Sequence, residues 1–469
     1  MKHKPLNCKP SLDRVGDNCA RMFLYRILSI LALLIYSPYA LVRSVAGRRR
    51  LGDIRGRLGL APYPDLDGGI WVHAVSVGEV SVARNLLAAL SRRAPGTRLG
   101  LSVTTAAGLE AARPLTGQGI AVFSFPLDLA GPVEKALSAA RPGLILLTET
   151  ELWPLLLERA RAGGVPVALV NGRISDRSFR RYLLLRGWFR RVLENISLFA
   201  MQTDEDARRI ERLGARPERI LVTGNIKYDL ASAPPFADAA RLSAAAAGRP
   251  ILIAASTGEG EEQIVLGAWK SLDPRPLLVL APRRPERFDD VAALVERSGF
   301  RLIRRSQPSD PSSQIQNPNS KIRNSTPVYL LDSIGELASV YGEAFLAFLG
   351  GSLIARGGHN PIEAWAQGVA VLVGPHTGNF REITQAGQRL GILESVADAR
   401  ELSRAFDLAL KDRAGTAARG DHARRFVAES RGAAASTADS VVRLLPPGRH
   451  LNGAPCGSQD PRRERAAAP

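Results

Sequence analysis

From residue 69 onward, short apolar runs alternate with stretches of helical period. GIWVHAV (69–75), LGLSVTT (99–105), AVFSFPLD (121–128), GLILLTETELW (143–153) and PVALVNGRIS (166–175) each end on polar residues or a turn and lead into an amphipathic segment. A second set follows: ILIAAST (251–257), PLLVLAPRR (276–284), RLIRR (301–305), PVYLLDS (327–333), AFLAFLGGS (344–352) and VAVLVG (369–374). Strands that are apolar throughout are buried on both faces, and strand–helix alternation predicts a parallel, doubly wound sheet in each set. Ligands of such sheets lie beyond the carboxyl ends of the strands. In the first set those ends carry Glu79, Thr104, Thr105, Asp128, Glu149, Glu151, Asn171 and Arg173.

Residues 230–250 turn rich in alanine and proline and mark the joint between the sets. The predicted domains are a loose segment over 1–21, a membrane anchor over 22–44, a first Rossmann-like domain over 45–229, a linker over 230–249 and a second Rossmann-like domain over 250–444. The polar run at 306–326 reads as a disordered loop, and the Pro-, Gly- and Arg-rich tail from 445 as disordered.

The stretch 350–382, GGSLIARGGHNPIEAWAQGVAVLVGPHTGNFRE, is the densest in signals. Asn360 reads as a helix N-cap, Pro361 as the first helical residue and Glu363 as the third, with Gly368 closing the helix. A glycine-rich turn before a helix lets a nucleotide approach backbone N–H groups. Glu363 in that first turn repels phosphate, which assigns it to hydroxyl groups such as those of a ribose. A capping box alone accounts for the same spacing.

Residues 27–42, ILSILALLIYSPYALV, are uncharged and flanked by arginines on both sides. A full span takes about 20 apolar residues, and Pro38 breaks the run, so it reads as a marginal span or an interfacial anchor; a cleaved signal peptide is the rival. The 63 Lys and Arg against 45 Asp and Glu give a net charge of +18, which points to anionic partners. Residues 173–191 concentrate it: Arg173, Arg177, Arg180 and Arg181 lead seven arginines interleaved with aromatic and leucine residues. That pattern suits anionic lipid and phosphorylated headgroups, or else a solvated helix face. No nucleic-acid-binding motif accompanies it. Three cysteines confined to the terminal segments and six unclustered histidines point to no disulfide framework and no metal.

WVHAVSVGE (71–79), ETELWP (149–154), TGNIKYD (223–229), PRRPERF (282–288), DSIGEL (332–337), GGHNPIE (357–363) and GPHTGNF (374–380), in that order, resemble the 3-deoxy-D-manno-octulosonic acid (Kdo) transferases of lipopolysaccharide synthesis. The resemblance covers roughly residues 25 to 430. It implies a GT-B-type α/β fold, two Rossmann-like domains facing across a cleft with an N-terminal membrane anchor. It implies inverting, metal-free transfer of Kdo from CMP-Kdo to the lipid A precursor, with no cofactor, at the cytoplasmic face of the inner membrane. Carried over, Glu79 is the general base, and Glu149 and Lys227 stabilise the transition state. Pro282, Arg283, Ile334, Gly335, Glu336, Asn360, Pro361, Ile362 and Glu363 bind CMP. The helix dipole at the start of its helix is expected to hold Glu79 ionised. Ser76 and Glu79 also have capping-box spacing, which leaves a purely structural role open.

Three positions depart from the family pattern: Gly258 and Arg284, where the family usually has His, and Leu155, where it usually has Asn. Two rival functions stand beside the first. One is a GT-B membrane-lipid glycosyltransferase using a UDP- or ADP-sugar; the other is a non-catalytic membrane-associated scaffold or nucleic-acid binder. Joint retention of Glu79, Glu149, Lys227, Arg283 and Glu363 argues against silence.

Overall fold

The computed structural model describes residues 51–229, 233–307 and 326–446. The chain separates into two compact units, one formed by residues up to 229 together with those from 432, the other by 230–431. The first sheet comprises β1 (Ile70–Ala74), β2 (Leu99–Val103), β3 (Ala121–Ser124), β4 (Leu144–Thr148), β5 (Val167–Gly172), β6 (Leu198–Met201) and β7 (Ile220–Val222), in spatial order β3-β2-β1-β4-β5-β6-β7. The second comprises β8 (Ile251–Thr257), β9 (Leu277–Pro282), β10 (Leu302–Arg304), β11 (Val328–Leu330), β12 (Leu346–Leu349), β13 (Ala370–Val373) and β14 (Leu393–Ser395), in order β10-β11-β9-β8-β12-β13-β14. All pairings are parallel, as the unbroken apolar runs require. Every residue of β1, β4, β5 and β9 is buried.

Strand order reverses where β1 lies beside β4 in the first sheet and where β8 lies beside β12 in the second, in which β9 also pairs with β11. Connections leave these strands toward opposite faces, so a crevice opens at their carboxyl ends. The backbone tightens at both places. Glu149, just past β4, has φ +56°, and Ser256, near the end of β8, has φ +54°, a left-handed conformation that costs non-glycine residues energy and clusters at ligand sites.

Four boundaries differ from the sequence reading. The second unit ends at Arg431 rather than at 444, because helix Ala433–Val442 packs on helix Val77–Arg93 of the first unit. Ala434, Ala438 and Val441 join Val80, Ala83 and Leu87 in one core, and Leu445, assigned to the tail, is buried with them. The Asp229 carboxylate accepts the N–H groups of Gly432 and Ala434, tying the return of the chain to its point of departure. Within the stretch read as a linker, Ala239–Ala246 is a helix of the second unit. Ser306, placed in the polar loop, is anchored by Asp332, which accepts its backbone N–H at 2.8 Å and its hydroxyl at 2.6 Å. The 1–21 segment, the 22–44 anchor and most of the 306–326 loop and the tail lie outside the described residues. Among the described residues no helix is long and apolar enough to cross a membrane.

Candidate active site

Helix Val77–Arg93 begins where β1 ends, and its first turn carries Glu79. Ser76 is the N-cap with extended φ of −118°, its hydroxyl accepting the Glu79 N–H at 3.4 Å, so the capping-box spacing is realised. The Glu79 side chain does more than cap. One carboxylate oxygen accepts the Val75 N–H at 2.8 Å and lies 3.0 Å from the Thr148 hydroxyl of neighbouring β4; the other accepts the Ser76 hydroxyl at 3.0 Å. Glu79 is 8% exposed. Burial is the main cause that pushes its carboxyl above the usual range, and the charge of Glu149 adds to it; hydrogen bonds from Val75, Ser76 and Thr148 pull the other way and lose. Desolvation thus outweighs the hydrogen bonds that favour the ionised form, and the group is a stronger base than an exposed glutamate.

Thr148 is fully buried and its single hydroxyl hydrogen has two acceptors in reach, the Glu79 carboxylate at 3.0 Å and the His73 carbonyl at 2.8 Å. With Glu79 ionised the hydroxyl can donate to it. With Glu79 protonated, the acid can donate to Thr148 while Thr148 turns to His73. Both protonation states are thus satisfied without moving a heavy atom. The His73 ring, fully buried, stacks on Phe125 at 3.7 Å, and burial lowers its pKa to about 3, which keeps it neutral.

Across from Glu79, at the end of β4, Glu149 forms an ion pair with Lys227 at 2.7 Å, both side chains about one-fifth exposed. Lys227 is held by its neighbours: Asn171 Oδ1 accepts the Ile226 N–H at 2.9 Å, Asn225 Oδ1 accepts the Lys227 N–H at 3.0 Å, and the Ile226 side chain is buried in the core. Asn171, at the end of β5 with φ +53°, is fully buried and its Nδ2 has no partner among the described residues. Burial, then the charges of Glu79 and Glu149, push Glu151 up to about 7. The structure therefore brings Glu79, Glu149, Glu151, Asn171 and Lys227 to the crevice between β1 and β4. Asp128 serves a different purpose: its carboxylate accepts the Leu155 and Leu156 N–H groups at 3.1 and 2.8 Å, capping helix Pro154–Ala162, whose own N-cap, Trp153, supplies no acceptor. Leu155, the departure in that motif, is buried at 1% exposure.

In the second unit, Arg283 follows β9 and acts electrostatically on both His359 and Glu363. Burial lowers His359 to about 4, with Arg283 assisting; burial raises Glu363 against the pull of Arg283. The helix expected from Asn360 is shorter, Ile362–Ala366, and Asn360 Oδ1 accepts the Ile362 N–H at 3.1 Å ahead of Pro361. Ile334 is 71% exposed, Gly335 has φ +88°, and Glu336 pairs with Arg305 at 2.9 Å; burial raises Glu336, but the Ser333 and Arg305 hydrogen bonds outweigh it and the net shift is down.

Glu261, fully buried, is the residue the sequence reading missed. It accepts the N–H groups of Gly258, Gly351, Ser352 and Leu353 at 2.8, 2.6, 3.1 and 2.9 Å. Of the first glycine pair, read as open to a nucleotide, the Gly351 amide is consumed by this carboxylate and the Gly350 amide by the Ala255 carbonyl at 2.8 Å. Beside it Glu262, also buried, accepts Thr257 Oγ1 at 2.8 Å and Arg287 at 2.6 and 2.9 Å. At Gly258 a Cβ would meet Ile354 Cδ1 at 2.6 Å, so the space a side chain would enter is taken.

Among the arginines of 173–191, Arg177, Arg180 and Arg181 are exposed and Arg173 is half-buried. They lie on or beside two short helices, Asp176–Leu184 and Arg186–Leu193, whose junction presents Leu184 at 84% and Leu185 at 59% exposure. Among the described residues no group of His, Cys, Asp and Glu is arranged to hold a metal ion.

Carboxylates and a lysine gathered at the switch point of one parallel sheet, with a second sheet carrying an Arg, His and Glu cluster, are the equipment of a glycosyltransferase. The family described as 3-deoxy-D-manno-octulosonic-acid transferase (kdotransferase) matches residues 52–230. The chain is 35% identical to the 3-deoxy-D-manno-octulosonic acid transferase of Haemophilus influenzae over 424 residues, covering 87% of this chain and 96% of the relative. It is 37% identical to that of Bordetella pertussis, covering 82% and 90%. The solved C-terminal CMP-Kdo binding domain of WaaA from Acinetobacter baumannii is 29% identical, covers 41% of this chain and 96% of its own, and has a TM-score of 0.36. The chain belongs to the 3-deoxy-D-manno-octulosonic acid transferase family.

Proposed function

We propose that this protein transfers Kdo from CMP-Kdo to the lipid A precursor in lipopolysaccharide biosynthesis, as a GT-B-type enzyme working on the cytoplasmic face of the inner membrane. The observation that carries the chemistry is the Glu79, Thr148, Glu149 and Lys227 constellation. The step is one displacement. The acceptor hydroxyl oxygen bonds the anomeric carbon as the bond from that carbon to the phosphate oxygen breaks; CMP leaves with the electron pair, and configuration inverts. Glu79 takes the hydroxyl proton, a role its desolvated, raised carboxylate suits. Lys227, oriented by Glu149, supplies fixed positive charge as negative charge develops. In the second unit, Arg283 suits the CMP phosphate and Glu363 the ribose hydroxyls, with Pro282, Ile334, Gly335, Glu336, Asn360, Pro361 and Ile362 as the surrounding segments.

The exposed Leu184 and Leu185 among Arg177, Arg180 and Arg181 support a membrane-facing surface in which leucines enter the interface and arginines meet lipid or acceptor phosphates. The 22–44 segment would add an anchor. Incubation of detergent-extracted protein with CMP-Kdo and tetraacylated lipid A precursor, with UDP- and ADP-sugars as controls, tests the reading by product mass. Addition of one or more Kdo residues with CMP-Kdo alone supports it. A product only with another nucleotide sugar, or none from folded protein, sinks it.

A further inference from the structure

GPHTGNF is the motif to which no role has been given, and it forms one wall of a cavity. The loop after β13 and the loop after β12 are stitched together: Gly374 N–H donates to Ser352 Oγ at 2.7 Å, His376 N–H to the Ser352 carbonyl at 2.9 Å, and Asn379 N–H to the Gly357 carbonyl at 3.0 Å. The fit leaves no slack. A Cβ at Gly374 would lie 2.2 Å from the Ser352 carbonyl oxygen, and one at Gly357, where φ is +88°, 2.4 Å from the Asn379 side chain. Between this double loop and helix Arg381–Arg389 lies a cavity of about 510 Å³, within the range of small-molecule sites. Its polar lining includes His376, Arg381, Thr384, Gln385 and Gln388, and no carboxylate. Arg381 opens its helix, where the macrodipole disfavours a cation, and makes no ion pair among the described residues. The adjacent Glu382 supplies the first-turn carboxylate that the macrodipole favours, which leaves the exposed Arg381 guanidinium at the cavity available to an anion.

We infer that this cavity holds the acidic sugar of the donor, with Arg381 binding its carboxylate and Gln385, Gln388 and Thr384 its hydroxyls. A planar guanidinium takes a carboxylate through two parallel hydrogen bonds, and amide side chains both donate to and accept from sugar hydroxyls. Gly357 lies in its wall and is three residues before Asn360, which puts the cavity and the proposed nucleotide segment on one stretch of chain after β12. The inference rests on the reading of CMP-Kdo as donor.

Steady-state transfer by the full chain in detergent, with CMP as competitive inhibitor, tests it. Arg381→Ala is expected to raise KM for CMP-Kdo at least tenfold while the CMP inhibition constant and the acceptor KM stay within twofold; Arg381→Lys recovers part and Gln388→Ala loses about threefold. An unchanged KM for CMP-Kdo, a rise in the acceptor KM instead, or equal loss of CMP and CMP-Kdo overturns the assignment while the proposed reaction stands. Absence of transfer by the unaltered protein overturns both.

Discussion

The two sheets place a glutamate at the same topological address and use it in opposite ways. Glu79, after β1 and beside β4, is bound by one backbone amide and two hydroxyls, with a like charge nearby. Glu261, after β8 and beside β12, is bound by four backbone amides. Amides cannot turn round; hydroxyls can. A carboxylate whose partners are all fixed amide donors builds a loop, whereas one held by hydroxyls can exchange a proton with a substrate. The difference lies in the donors, and the carboxylate is the same in both.

The comparison breaks most directly at Glu79. Glu79→Gln is expected to lower kcat about 10³-fold with the thermal midpoint little changed; a residual rate within tenfold of wild type would remove Glu79 as the base. Glu261→Gln should do the reverse, destabilising by about 3 kcal/mol because an amide NH2 is forced against N–H donors, seen as a lower denaturation midpoint and weakened CMP binding; normal stability would show that the glycine turn does not need its carboxylate. Glu151 sharpens the first half. Its folded-state pKa, about 7, lies above the ordinary 4.5, so the folded chain binds the extra proton and wild-type stability falls as pH rises through that window. Glu151→Gln escapes the fall and should be about 2 kcal/mol more stable than wild type at pH 8, with the advantage gone near pH 4.5. Equal melts at both pH values would mean the carboxylate is solvated. Smallest is Thr148→Val: about tenfold in kcat, with the acid limb of the rate profile moved to higher pH because a hydrogen bond favouring ionised Glu79 is lost. Thr148→Ser should restore both, and failure to do so would point to packing.

Most of the sheet architecture was legible because strands covered on both faces must be continuously apolar, as 144–147 and 277–282 are. Glu79, Glu149 and Lys227 were legible because they sit at strand ends or in motifs. What sequence could not carry was environment. The capping-box spacing of Ser76 and Glu79 carries no sign of the burial that raises the Glu79 carboxyl. Glu261 and Glu262 draw no reading from sequence, because nothing in one strand–helix junction announces that the amides of residues 351–353, some ninety positions later, will close over Glu261. Thr148 is one polar residue at the end of an apolar strand, and its value depends on which strand lies beside it. The last helix escaped for the same reason: Ala433–Val442 carries no mark of the unit it joins.

That returning helix has a consequence for how the protein is made. The first unit's core includes Ala434, Val441 and Leu445 against Val80 and Leu87, so the face of helix Val77–Arg93 that they cover stays bare until the ribosome has passed residue 445. Domains commonly fold in the order of synthesis; here the later unit, 230–431, is complete in sequence before the earlier one can close. A nascent chain stalled short of its last helix would carry a finished second unit and an open first one.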